Sequence, residues 1–159
     1  MKFISDQGKS GWDHRPYWRY LESVKGLMPA HLFAFASNTE NHDLESPNSL
    51  HDSWLEYWRV SEPTRENNRK LRSLQIDMCL LGSRWDRHIY ISYKPVRNYY
   101  VQNPGEFDLG RFGAVAHGDL LVHEIVMIRE GLYSHEIVFD SGTVFFVEFA
   151  NFEHRVEPI

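Results

Sequence analysis

"LYSHEIVFDSGTVFFVEFANF", residues 132–152, holds two runs of branched and aromatic residues on either side of Ser141-Gly142. Two such runs joined by a glycine-containing pair form a β-hairpin, because glycine supplies the positive φ that a tight turn demands. The same pattern continues upstream. "LLVHEIVMIR" (120–129) runs into Glu130-Gly131, a second turn, so 120–129, 132–140 and 143–152 read as three successive strands. In "RHIYISY" (87–93) Ile89, Ile91 and Tyr93 share one face, and in "LRSLQIDMCLLG" (71–82) Leu74, Ile76, Met78 and Leu80 do the same. That two-residue period is the mark of a strand with one face buried. "GSRWD" (82–86) links these two runs, "VRNYYV" (96–101) extends or follows the second, and residues 50–60 alternate in the same way. Strands in quick succession pair antiparallel, since a parallel pair needs a long crossover.

The first third of the chain follows another period. Tyr17, Leu21, Val24 and Met28 recur at i, i+4, i+7 and i+11, with Pro16 suited to a first helical turn and Gly26 and Pro29 to a stop. "HLFAFASN" (31–38) fits a short helix or a strand, and 38–49 is a polar surface loop around Pro47. The expected fold is α+β: an antiparallel meander sheet of about six to seven strands with an N-terminal amphipathic helix packed on one face. One domain is expected over 1–159, with a helical front at 16–37 and the sheet at 50–152.

Composition narrows the classes. The 159 residues are 42% hydrophobic, 25% charged and 14% aromatic, which is globular rather than disordered. A net charge of −5 without a basic stripe argues against nucleic acid as a partner. No apolar run approaches the roughly 20 residues of a membrane span, and "MKFISDQGKSGWDHRPYW" (1–18) lacks a signal-peptide core. A cytoplasmic location is therefore expected, with neither membrane nor cofactor implied. The single Cys79, within "IDMCLLG", reads as a small buried hydrophobe.

Nine histidines, several beside carboxylates, raise metal or acid/base chemistry. His51-Asp52, the Asp86/His88 pair and the His117/Asp119 pair are the candidates, the first two for catalysis and the third for a metal. None has the His-Glu-x-x-His spacing that sets two imidazoles on one helical face. His51-Asp52 equally reads as the polar lead-in to the aromatic strand "SWLEYWRV" (53–60). Asp86 and His88 are two apart and point the same way if extended, which fits a ligand pair, a carboxylate orienting an imidazole, or equally a surface salt-bridge position at a strand end. In the simplest hairpin registers His123 lies near Val138, away from His135, while His135 faces Glu148. No nucleophile elbow and no phosphate loop is present.

The aromatic surplus suggests contact with another protein. Trp54, Trp58, Trp85, Arg87 and Tyr99 combine the ring and guanidinium types that dominate interfaces, although filling the core explains such rings equally well.

"SLHDSWLE", "LLGSRWDRHIYISYKPV", "AHGDLLVHEI" and "SHEIVFDSGTVFFVEFANF" together resemble a pattern in small, uncharacterised bacterial proteins with a Leu-His-Asp-x-Trp-Leu strand motif. Some of these are similar to immunity proteins of polymorphic toxin systems. The resemblance covers residues 28 to 152, implies a bacterial origin and a binding role, and carries no catalytic residues. The expected function is that of a non-enzymatic binding protein, an immunity-like partner of a bacterial toxin, with a homodimer through sheet edges as a further option. The alternative is a small metal-dependent or His/carboxylate enzyme using His51, Asp52, Asp86, His88, His117 and Asp119. A third option is a ligand-binding sheet whose pocket is closed by the 102–119 loop.

Overall fold

The computed structural model describes residues 1–65, 68–103 and 117–159, without the side chains of Ser10, Arg65 and 68–71. The expected loop at 102–119 lies largely outside the described residues. The chain opens with a short hairpin, β1 (Ser5–Asp6) on β2 (Trp12–Asp13), followed by helices α1 (Arg15–Val24) and α2 (Ala30–Ala36). The amphipathic helix is thus not N-terminal but follows a hairpin, and it ends four residues early. At Gly26 the backbone tightens into turn bonds, Leu27 and Met28 both donating to the Val24 carbonyl. The ambiguous 31–38 run becomes α2, with Pro29 in extended conformation just ahead of it.

The remaining strands are β3 (Trp54–Ser61), β4 (Thr64–Arg65), β5 (Asn68–Arg72), β6 (Gln75–Leu81), β7 (Arg87–Gln102), β8 (Leu120–Arg129), β9 (Leu132–Phe139) and β10 (Val144–Pro158). Six of them form one antiparallel sheet in the order β3-β6-β7-β10-β9-β8, and β4-β5 is a separate hairpin. The fold is α+β, as the periodicities imply. Within the sheet the strands run as two three-stranded meanders, β3-β6-β7 and β8-β9-β10, joined along β7 and β10. Those two are the long strands, paired from Val144↔Gln102 to Pro158↔Arg87, so their mutual contact outweighs any other neighbour either could take.

One face of the sheet and the helices enclose the core. Ile76, Met78, Leu80, Ile89, Ile91, Tyr93, Phe139, Phe145 and Phe149 point inward against Tyr17, Leu21, Leu32, Phe35 and Leu50. The β8 edge is covered rather than left open. Tyr17 donates its hydroxyl to the Ile125 carbonyl at 3.2 Å and accepts from the Ile125 N–H at 2.9 Å, while Tyr20 accepts from the Met127 N–H at 2.6 Å. Glu124, only 2% exposed, accepts three backbone N–H bonds of 2.7 Å from Lys2, Phe3 and Ile4, and so anchors the start of the chain against the same strand. These bonds satisfy groups that an unprotected edge would offer to another chain.

At one end the two sheet edges meet. Trp54 bridges Asp119, Asp52 N–H donates to the Leu120 carbonyl, and Leu120 N–H donates to the Ser53 carbonyl, both at 2.9 Å. The sheet therefore curls toward a barrel, and the "LHDSW" segment is its seam.

Candidate functional site

The seam brings two of the predicted pairs together in backbone but not in side-chain chemistry. The expected strand at 50–60 starts only at Trp54 because Leu50–Ser53 forms a turn, with Asp52 at a φ of 63°. Asp tolerates this left-handed conformation better than most residues. His51 Nδ1 lies 2.6 Å from Asp52 Oδ1, close but out of line for a hydrogen bond. Asp119 instead accepts from the Trp54 indole N–H, and His117 Nδ1 meets Thr143 Oγ1 at 3.2 Å with its ring between Phe139 and Phe145. The His117/Asp119 pair is thus shared out between two structural contacts.

Asp86 does not orient His88. Its carboxylate accepts two bonds of 2.8 Å from Arg87, whose remaining arm donates to Asn48 Oδ1 at 2.7 Å. A bidentate guanidinium beside the carboxylate is the better partner, and it holds Asp86 below its ordinary pKa. Arg87, expected at an interface, is therefore spent in tying the β7 start to the 38–49 loop.

His88 finds other company. A β-bulge between Leu55 and Tyr57 sets two β3 residues opposite Cys79, and the extra residue, Glu56, turns toward the outer face of the sheet. Its Oε2 lies 3.1 Å from His88 Nε2 and 3.5 Å from Cys79 Sγ. Cys79 is 1% exposed yet on the outer-facing register, alongside Asp77 and opposite Tyr57 and Tyr90. Burial and then the Glu56 carboxylate push its thiol up to about 11. Sequence reasoning passed over Glu56 and Cys79. The alternation that put Met78 and Leu80 inside already set Cys79 outside with Asp77, and alternation from Trp54 set Glu56 on the same face; what residue order did not record was the register that brings the two together.

The same bulge separates the tryptophans. Trp58 turns inward and meets Phe145 edge-on at 4.7 Å, so it belongs to the packing rather than to a binding surface. Trp54 stays 46% exposed and touches Trp85, 62% exposed, at 5.4 Å. Tyr57 is partly exposed, with the Arg59 guanidinium 5.3 Å from its ring centre. Beyond them the outer face forms a concavity of about 530 Å³ whose walls include Tyr57, Arg59, Asp77, Tyr90, Lys94 and Arg155. Arg155 lies over the Tyr90 ring at 4.0 Å, and Asp77 accepts from Ser92 and Gln75. Tyr99, also exposed, stands on β7 opposite Val147, toward the other end of that strand.

A second set of histidines lies inside. His123 sits opposite Ile137, which makes His135 its diagonal neighbour, and the two rings converge: His123 Nδ1 is 3.1 Å from His135 Nε2. The expectation that they miss each other set His123 opposite Val138; the observed register is one residue tighter, and it puts His135 within diagonal reach. His135 faces Val147, not Glu148, because the β9–β10 register is one residue tighter than supposed. Its Nδ1 meets the Tyr93 hydroxyl at 2.7 Å. The tautomers that satisfy these groups run Tyr93 O–H to His135 Nδ1 and His135 Nε2–H to His123 Nδ1. His42 stacks on His123 at 4.3 Å and 10°, with His14 5.0 Å beyond. Burial holds His42 and His135 at about 3, and desolvation followed by its histidine neighbours holds His123 well below the ordinary value.

Compared with known proteins, the chain matches no family model, no curated protein and no solved structure.

Proposed function

We propose that this chain is a non-enzymatic binding protein that recognises another protein through the outer face of its sheet, in the manner of the immunity proteins its sequence pattern resembles. The carrying observation is the patch at the seam: Trp54 and Trp85 in mutual contact and exposed, with Tyr57 and Arg59 beside them on one rigid strand. Large rings and guanidinium groups that give up little conformational freedom are the residues around which interfaces concentrate their energy. The concavity next to the patch offers ring and charge of both signs, which suits a polypeptide partner. The β3 edge beyond Trp54 pairs only with β6 among the described residues and extends the same surface. The enzyme alternative drew on six side chains that pair off separately, and none of the described histidine–carboxylate contacts among them forms a common cleft.

The test is retention of a partner by the immobilised protein from a lysate of its own organism, followed by co-expression of that partner with and without this chain. A toxic partner neutralised at one-to-one stoichiometry is the expected result. Trp54→Ala and Trp85→Ala should each weaken the complex by roughly 30-fold, the equivalent of ~2 kcal/mol at a hot spot. Leu27→Ala, exposed on the far side after α1, serves as the control and should leave it unchanged. A complex indifferent to Trp54 and Trp85, or no stoichiometric partner at all, overturns the proposal. Self-association through β3 would show instead as a dimer in sedimentation.

A further inference from the structure

Independently of any protein partner, we infer that Glu56, Cys79 and His88 form a binding site for a zinc-type divalent cation, with three protein ligands and a fourth position open to water. The three ligand atoms, Glu56 Oε2, Cys79 Sγ and a His88 ring nitrogen, all lie within 4.8 Å of one another. Two of the separations, 3.1 Å and 3.5 Å, already approach the edges of a tetrahedron, roughly 3.3–3.8 Å when metal–ligand bonds are ~2.0–2.3 Å. The third, between Cys79 Sγ and the His88 ring nitrogen, is at most 4.8 Å, so closing the site asks for side-chain adjustments of about an ångström on strands that keep their register.

The donors come from three adjacent strands whose register is fixed by the ladder: Tyr57↔Cys79 on one side, Cys79↔Tyr90 and Leu81↔His88 on the other. A scaffold of that kind holds ligands more accurately than a loop. Glu56 follows Trp54 onto the outer face by ordinary alternation, and the bulge after it keeps Tyr57 on that same face opposite Cys79. The donor set also selects the ion. One thiolate with one imidazole and one carboxylate favours zinc, or cobalt in its place, over calcium and magnesium, which take oxygen ligands. Glu56 and His88 keep 40% and 28% of their side chains in solvent, so a water can reach the remaining position. Binding the ion breaks the S–H bond of Cys79, the sulfur lone pair goes to the metal, and the proton leaves to solvent.

The experiment is titration of the full-length, chelator-washed protein with Co²⁺ as the probe, read by absorption, then competition with Zn²⁺. One equivalent should bind, giving a thiolate-to-cobalt charge-transfer band and the intense visible bands of a four-coordinate ion, both abolished by one equivalent of Zn²⁺. Cys79→Ser should remove the charge-transfer band. His88→Gln and Glu56→Gln, at partly exposed positions that the fold tolerates, should each weaken binding by more than the roughly 10–100-fold that changes behind the ligands cost. His51→Ala and His117→Ala should bind as the wild type does. No charge-transfer band in the folded wild-type protein, or binding that survives Cys79→Ser together with His88→Gln, overturns the site. The proposed partner complex can fail its own test without touching this result, because no partner is present in the titration.

Discussion

His123 and His135 each keep 1% of their surface exposed, while His88, a few strands away on the opposite face, keeps 28% of its side chain in water. The inner pair is closed in by Phe35, Tyr93 and Phe152. Three of their four ring nitrogens are satisfied by one another and by a tyrosine, whereas His123 Nε2, like His42 Nε2, is buried without a hydrogen-bond partner among the described residues. The outer histidine meets a carboxylate and a thiol. The same side chain is thus a neutral packing element on one face and a candidate ligand on the other. What differs is whether the charged or metal-bound form has somewhere to put its charge.

Acid is the most severe way to test that contrast. Burial holds His42 and His135 at about 3, below the ordinary 6.5, and His123 is also held well below that ordinary value. As pH falls below about 6.5 the unfolded chain takes up protons that the folded chain refuses, so stability is lost from there down to about 3. Each histidine held neutral contributes a slope of roughly 1.4 kcal/mol per pH unit at its limit. Urea unfolding between pH 7 and 5 should show this decline before most carboxylates titrate. A flat profile over that range would mean the inner rings are not held neutral.

Removing the centre of the inner chain comes next. His135→Ala leaves a cavity and strands both the Tyr93 hydroxyl and His123 Nδ1, for an expected loss of about 3–5 kcal/mol in urea unfolding at pH 7. Tyr17→Phe is milder. It strips the β8 edge of the hydroxyl that serves the Ile125 N–H and carbonyl, and should cost about 1–2 kcal/mol and raise hydrogen exchange at Ile125. The smallest effect belongs to the outer face: His88→Gln should change stability by no more than about 0.5 kcal/mol. If it destabilised the protein as much as His135→Ala, the distinction between the two faces would fail.

Much of this was legible in residue order. The pairs Gly131 and Ser141-Gly142 mark the β8-β9-β10 meander because tight turns need residues that accept positive φ, and both glycines do so here, at 72° and 78°. Two-residue alternation marks Ile76–Leu80 and Ile89–Tyr93 as facing the core because a pleated strand can bury only one side. The seam was not legible. Leu50–Ser53 reads as strand by composition, but a bond between Asp52 and Leu120 depends on sheet curl, which no local period records. The Asp86/His88 and His117/Asp119 side chains take separate partners for the same reason: adjacency in sequence gives a His and an Asp proximity, whereas the fold supplied Arg87, Trp54 and Thr143.

By itself, then, the sequence determined the fold class, the turns of the β8-β9-β10 meander and the apolar side of β6 and of the first half of β7, since these follow from backbone sterics and side-chain type within a few residues. The tertiary structure alone decided the joining of β7 to β10, the diagonal meeting of His123 with His135, and the convergence of Glu56, Cys79 and His88. Each of these depends on register between distant strands, where a shift of one residue, or one bulge, sends a side chain to the other face.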